Sequence, residues 1–362
     1  MINRFYMPIL KTKQGEFNAL FSLNLNIQGY VVPLIEVAEI EFDNEENKTP
    51  KTIEEHLNTI TKRIVNKWGR SNAFLDTHLV DDTAPGGVNP VFYIYDRLSK
   101  AAIAFPSLAV RLSTPMMTKK AIKEVMSRHN LKELAVRIFI ADLVSHDFST
   151  KLRDLTNDFG LTAATTHLVL DLADADFSNI EDFSDGLLDQ LADFPSFMDW
   201  KSFTICGGSF PRTSALKSGV TEVPRGEWKF YKRLTDKLAK QRMNRHINYG
   251  DYGIVSPGHF KYDPLKMDRS ANIRYTHNMI WYVVKGNSIK LNGNDQYYDL
   301  AKQIIDSDYY FNEHFSKGDG HLLKCGQRET KTAGNSTVWK RVGFNHHFTK
   351  VMSDLRASYL AS

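Results

Sequence analysis

The chain has 362 residues, 42% of them hydrophobic, with 46 Lys and Arg against 42 Asp and Glu for a formal net charge of +4. That composition supports a full core in one large domain or two ordinary ones, and the mild basicity is too small by itself to argue for nucleic acid. Two cysteines, Cys206 and Cys325, give no disulfide framework and no metal-site spacing.

The opening Met1-Ile-Asn-Arg-Phe-Tyr6 lacks the apolar region of a secretory signal. No apolar run approaches the roughly 20 residues that span a bilayer. The sequence therefore predicts a cytoplasmic protein with no membrane association.

Taken in chain order, short β-forming apolar runs fall at 6–10, 31–40, 73–80, 101–105, 134–140, 167–172, 202–206 and 252–255. Helical spacing falls between most of them: 53–68, with Ile53, Leu57, Ile60, Ile64 and Trp68 on one face, then 118–129, 150–159, 180–191 and 227–241. Strand–helix alternation repeated about eight times argues for a parallel sheet with helices outside, and over roughly 250 residues it fits a (β/α)8 barrel, regular or irregular. Neither GxGxxG nor GxxxxGK[ST] follows any of these strands, which weakens the dinucleotide and P-loop alternatives.

Beyond the last run, 273–276 and 279–285 read as a β-hairpin, 295–315 as an aromatic helix, 317–335 as a polar loop, and 337–360 as a helix capped by Ser336 or Thr337. The expected organisation is thus a barrel-like α/β domain over 1–260 with a hairpin and helical extension over 261–362 packed against it. Charge is uneven: 154–200 holds no Lys or Arg, while 212–245 is strongly basic. Two helix faces of opposite sign, or a polarised surface that steers a charged partner, both fit this pattern.

In a (β/α)8 barrel the reactive face lies at the C-terminal ends of the strands. Those ends offer Lys11, Lys13 and Glu16, then Glu36 and Glu39, Asp76 and His78, Arg137, Asp171, Ser209 and Arg212, with Arg274 and Tyr275 added by the hairpin. Lys11, Glu36, Asp76 and Asp171 are the catalytic candidates, as general acid–base groups or metal ligands. Lys13, Arg137, Ser209, Arg212, Arg274 and Tyr275 are candidates for holding an anionic ligand. The alternative is a salt-bridged polar layer of the barrel interior. Gly207-Gly208-Ser209 can bind phosphate through its N–H groups or be simple turn chemistry, and it lacks the Gly-x-Ser-x-Gly pattern of a nucleophile elbow.

His346 and His347 are adjacent, so on a helix they diverge by about 100° and suit no shared metal, unlike an i,i+4 pair. Asn345 and one histidine, His346 among the ligand candidates, are expected to brace the barrel or reach its pocket. The aromatic and basic residues of the tail also allow a polyanion surface, a nucleotide or nucleic acid. No cofactor is legible.

Several segments resemble one family. Tyr6-Met-Pro-Ile-Leu-Lys-Thr-Lys-Gln-Gly-Glu-Phe-Asn-Ala-Leu20, Val32-Pro-Leu-Ile-Glu-Val37, Leu168-Val-Leu-Asp-Leu172, Gly208-Ser-Phe-Pro211, Ile273-Arg-Tyr-Thr276 and Trp339-Lys-Arg-Val-Gly-Phe-Asn-His-His347 are similar, in that order, to the Beta protein family of phages, phage satellites and prophages. Phe344 stands where relatives are expected to carry Thr before Asn-His-His. The resemblance implies a component of an anti-phage defence module that counters killing by a toxic partner, as in the phage-exclusion module that includes Gop. It supplies no catalytic residues. The alternative reading of the residues is a barrel hydrolase acting on phosphodiesters or nucleotides.

Overall fold

A computed structural model describes residues 4–40, 51–69, 71–101, 106–241, 243, 245–258 and 269–361. Eight parallel strands close into a barrel: β1 (Met7–Lys11), β2 (Leu34–Glu36), β3 (Phe74–Asp76), β4 (Ser107–Arg111), β5 (Leu134–Phe139), β6 (Thr166–Asp171), β7 (Ser202–Gly207) and, after an interposed β8 (Gly219–Pro224), β9 (Ile247–Asp251). Met7 and Pro8 of β1 pair with Gly250 and Asp251 of β9, which closes the ring.

The closure follows from alternation along each strand. Met7, Ile9, Leu34, Phe74, Ala109, Ala135, Val169 and Cys206 meet inside the barrel. Leu10, Ile35, Leu75, Val110, Val136, Leu170 and Ile205 face outward into the helical shell. Apolar on both faces, these strands read as near-continuous hydrophobic runs, which is why the sequence exposes them.

The shell helices carry their own start signals. Ile53–Arg63 opens on a reciprocal cap in which Thr52 Oγ1 accepts from Glu55 N at 3.2 Å and Glu55 Oε2 accepts from Thr52 N at 3.0 Å. The helices Ile180–Ala192 and Gly226–Lys240 are zipped by their opposite charges: Arg233 to Glu181, and Lys237 to Glu181 at 2.9 Å and Asp185 at 2.5 Å. The acidic and basic stretches of the sequence thus partly neutralise each other.

β8 leaves the barrel and pairs antiparallel with β11 (Ile280–Ser288), which pairs in turn with β10 (Ser270–Thr276). Trp281, Val283 and Val223 of this sheet join the main core. Ile273, Tyr275 and Tyr282 join a second core with Leu300, Leu322 and Trp339. The helix Ser336–Ala361 belongs to both cores, through Trp339 and Val342 in its first turns and Phe344, Phe348, Val351 and Leu355 further along. It lies along the helix Gln14–Phe21 and β10. No helix among the described residues is long and apolar enough to cross a membrane.

Several elements differ from expectation. The eighth barrel strand is Ile247–Asp251, not 252–255, because its inward positions are Asn248 and Gly250 and break the apolar run. Of the strand expected at 101–105, residues 102–105 lie outside the described residues, and β4 begins at Ser107. The boundary expected at 260 also lies outside them. The aromatic helix ends at Ile305, and the expected loop contains the helix Lys317–Gly326. Its glycines hide it: a Cβ on Gly318 would stand 2.5 Å from the Val342 carbonyl oxygen, so helix contact there requires the weakest helix former but proline. Asn335, rather than Ser336 or Thr337, caps the last helix, its Oδ1 accepting from Thr337 N and Val338 N.

Candidate functional site at the barrel mouth

The last inward positions of β2 to β6 are polar. Glu36, Asp76, Arg111, Arg137 and Asp171 stand on β2 to β6, and Tyr252 follows β9. Arg137 is their centre. Its Nε and Nη2 donate to Asp171 Oδ2 at 2.9 and 2.6 Å, Nη1 to Glu36 Oε1 at 2.7 Å and Asp76 Oδ2 at 2.9 Å, and Nη2 to the Tyr252 hydroxyl at 3.1 Å. Every N–H of that guanidinium has a protein acceptor.

Tyr252 donates to Asp171 Oδ2 at 2.6 Å, and Asp171 Oδ1 accepts from Ala173 N at 2.8 Å. Burial and the Asp171 charge push the Tyr252 phenol well above its ordinary value, so it stays a donor. Burial opposes ionisation of Asp76, but its His78 hydrogen bond and the Arg111 and Arg137 charges hold the carboxyl well below the usual range. Asp76, Arg137 and Asp171 are each no more than 2% exposed.

Arg111 is different. Its Nε and Nη2 donate to Asp76 Oδ2 at 3.2 and 2.9 Å, while Nη1 has no hydrogen bond to a described residue. His78 Nδ1 lies 3.1 Å from Asp76 Oδ1 and 2.8 Å from Arg111 Nη2. It can donate to the carboxylate or accept from the guanidinium, but not both. Lys11, at the end of β1, makes no hydrogen bond or close ion pair among the described residues. Burial lowers its pKa, Glu36 opposes that shift, and Lys13 adds to it. Lys11 and Arg111 are thus cations with unspent donors above a layer that is otherwise satisfied.

Glu36, Asp76 and His78 bring one ligand atom each within 4.8 Å of one another. This is the donor set a divalent cation would use, but Arg111 and Arg137 already hold one oxygen of each carboxylate, Glu36 Oε1 and Asp76 Oδ2. A metal there must displace or outcompete Arg111 and Arg137.

The other candidates lie elsewhere. Ser209 donates to Glu227 Oε2 at 2.5 Å and accepts from Gly226 N at 2.8 Å, tying the β7 turn to the start of the next helix. Burial pushes the Glu227 carboxyl up to about 7. Arg212 is exposed. Arg274 on β10 donates to Asn272 Oδ1, the Ile254 carbonyl and Thr213 Oγ1. Lys13 immediately precedes the helix Gln14–Phe21.

Tyr275, Asn345 and His346 sit at the junction of the last helix rather than in the mouth. Asn345 accepts from Gly318 N at 2.9 Å and donates to the Ala19 carbonyl at 3.2 Å. Tyr275 donates to Asp319 Oδ1 at 2.7 Å and stacks on His346, ring centroids 3.9 Å apart. His346 bonds Asp319 Oδ2 at 2.8 Å and the Thr276 carbonyl at 2.7 Å. His347 bonds Asp251 Oδ2 at 2.9 Å and Thr276 Oγ1 at 2.8 Å. The two rings diverge as helical geometry requires, and each takes its own aspartate.

With this geometry established, comparison with known proteins places the chain. The sequence model of the Beta protein family matches residues 6–353. The chain belongs to the Beta protein family. No curated protein matches it. Among solved structures it is similar to the crystal structure of KGPDC from Streptococcus mutans, at 10% identity and a TM-score of 0.34, over 70% of this chain and 90% of that one. As a member of the Beta protein family the chain carries its Asn345-His346-His347 run in the seat of the last helix, and the mouth is formed by other segments.

Sequence reasoning missed Arg111 and Tyr252 in the mouth. Arg111 was hidden because the fourth strand was placed six residues too early, and Tyr252 because it was counted inside a strand rather than just after one. Inward alternation counted forward from Ala109 would have found Arg111.

Proposed function

We propose that this chain is the ligand-binding component of a phage-associated defence module, in which it regulates or neutralises a toxic partner protein encoded beside it. Its barrel mouth takes a small phosphorylated ligand of the nucleotide class. One observation carries the ligand assignment: Lys11 and Nη1 of Arg111 keep unspent donors over a buried layer whose other charges are paired. A phosphate offers the acceptors those groups lack, and a partly desolvated site strengthens each contact. Membership of the Beta protein family fits a phage-associated protein.

Co-expression with the protein encoded beside it tests the proposal. The wild type should rescue growth and co-purify with that protein, while Lys11→Met, folded by circular dichroism, should lose rescue. A Lys11→Met variant that protects as well as wild type would contradict the mouth's role.

A second reading, a hydrolase of phosphodiesters or nucleotides, draws on the convergence of Glu36, Asp76 and His78. Release of nitrophenolate from bis(p-nitrophenyl) phosphate in Mn2+, abolished by EDTA and by His78→Ala, would favour it over binding alone.

A further inference from the structure

The mouth layer and the rim beside it differ in their charge accounts. In the mouth, Glu36, Asp76 and Asp171 face Arg111 and Arg137 directly and Lys11 at longer range. At the rim, the first turns of the last helix meet β10 and the start of the helix Gln14–Phe21. A Cβ on Gly15 would stand 3.0 Å from Lys340 Cβ and 3.1 Å from the Thr337 carbonyl oxygen, so Lys340 is anchored beside the end of β1. One turn along, a Cβ on Gly343 would stand 3.0 Å from the Arg274 carbonyl oxygen, which brings β10 to the same helix.

The side chains gathered there are mostly cationic, and neither Lys340 nor Arg274 makes a close ion pair with a described residue. Lys340 makes no hydrogen bond or close ion pair with a described residue. Arg274 spends Nε, one N–H of Nη1 and one of Nη2 on three neutral oxygens, and pairs with no carboxylate among the described residues. Arg274 and Lys13 repel Lys340, and burial with that repulsion pushes its pKa down to about 8. The acid within reach is Glu16, 4% exposed, whose Oε2 has no hydrogen-bond partner and whose carboxyl burial pushes up to about 7. Lys340 and Lys11 both pull the Glu16 carboxyl down against its burial, and Glu16 lies in the first turn of the helix that follows β1.

A half-buried guanidinium and a half-buried ammonium held together without a paired carboxylate cost free energy that an anionic ligand would recover. We propose that Lys340 and Arg274 form a second anion subsite on the barrel rim, so that the ligand of the mouth carries two anionic groups, as a di- or polyphosphate does. This rests on the mouth's taking a phosphorylated ligand. Lys11 and Arg111 hold one group, and Lys340 with the two remaining N–H groups of Arg274 holds the other. Ligand binding draws Glu16 toward its neutral form, because the arriving anion repels its charge.

Calorimetric titration of the full chain with inorganic orthophosphate and with pyrophosphate tests this. Wild type should bind pyrophosphate at least about tenfold more tightly than orthophosphate, a difference of about 1.4 kcal/mol. Lys340→Met should lower that ratio to near one. Glu16→Gln should tighten pyrophosphate severalfold, which keeps the test decisive should Lys340→Met fail to fold. A wild type that binds orthophosphate with no preference for pyrophosphate overturns the second subsite and leaves the mouth reading standing. Lys340→Met with the wild-type ratio overturns it equally. A wild type that binds neither probe overturns both readings.

Discussion

Arg137 in the barrel mouth and the His346–His347 pair under the last helix each centre a buried ionic network, and both centres are themselves saturated. At the junction, Asp319 takes His346, Ser316 and Tyr275, and Asp251 takes His347, Tyr6 and the Gly253 N–H. Both carboxylates there are fully engaged, although Nε and Nη2 of the neighbouring buried Arg225 have no hydrogen-bond partner among the described residues. In the mouth, Arg137 is equally saturated, while Lys11 and Arg111 are not. Saturation, rather than charge density, separates polar groups that hold the fold from those that can hold something else.

The largest expected effect breaks the mouth from beneath. Arg137→Met leaves Glu36, Asp76 and Asp171 buried without their shared cation, and loss of one partner of such a cluster costs about 3–5 kcal/mol. Urea unfolding followed by circular dichroism should show it. A change below about 1 kcal/mol would mean that water reaches those carboxylates freely.

The junction should respond next. Asp319→Asn weakens its bonds to His346, Tyr275 and Ser316 and should cost about 2–3 kcal/mol. Phosphate affinity of the folded protein should stay within about twofold of wild type. A large loss of affinity would join the junction to the site and erase the contrast drawn here.

Acid titration sharpens the contrast between the two histidines. His347 Nε2 faces the Asp251 carboxylate and Nδ1 faces the Thr276 hydroxyl, a set that a neutral ring satisfies. Burial lowers its pKa, against the pull of Asp251. The unfolded chain therefore takes up that proton first, and the His347 contribution is present above about pH 6.5 and lost as pH falls toward the folded value. Asp251 and Asp319 have lowered pKa values despite burial, because of His347 and His346, so their contributions are present above about pH 4 and lost below it. Between pH 7 and 5 the urea midpoint of wild type should fall relative to that of His347→Gln. Equal slopes would place a charged ring at that position.

Glu227 gives the smallest and opposite effect. Its folded pKa of about 7 lies above the unfolded value, so the folded chain binds the extra proton and stability falls as pH rises from about 4.5 to 7. Glu227→Gln should remove that fall, at most about 3 kcal/mol for a shift of this size, and with the Ser209 bond weakened raise stability at pH 8 by about 1–2 kcal/mol. No gain at pH 8 would mean that Ser209 and Arg225 stabilise the charged carboxylate fully.

The barrel was legible because its strands are apolar on both faces and its helices carry a 3.6-residue period. Where function or tight packing intruded, the signal failed. β9 turns Asn248 and Gly250 inward, β8 alternates in a small sheet away from the barrel, and the helix Lys317–Gly326 spends glycines on close contact. The mouth was legible in Glu36, Asp76, Arg137 and Asp171, since charges at strand ends stand out of apolar runs. Saturation was not legible, because it depends on three-dimensional partners such as Tyr252 and Arg111. The Asn345-His346-His347 run is conspicuous for its cost, and that cost is met by Asp319, Asp251 and Thr276, none of them near it in sequence.

The measurement that bears most directly on the central claim is the thermal midpoint of wild type and Lys11→Met, each with and without millimolar pyrophosphate. Pyrophosphate should raise the wild-type midpoint, since a ligand bound only to the folded state stabilises it, and should raise that of Lys11→Met little or not at all. Equal ligand-induced shifts in the two proteins, or none in wild type, would contradict it.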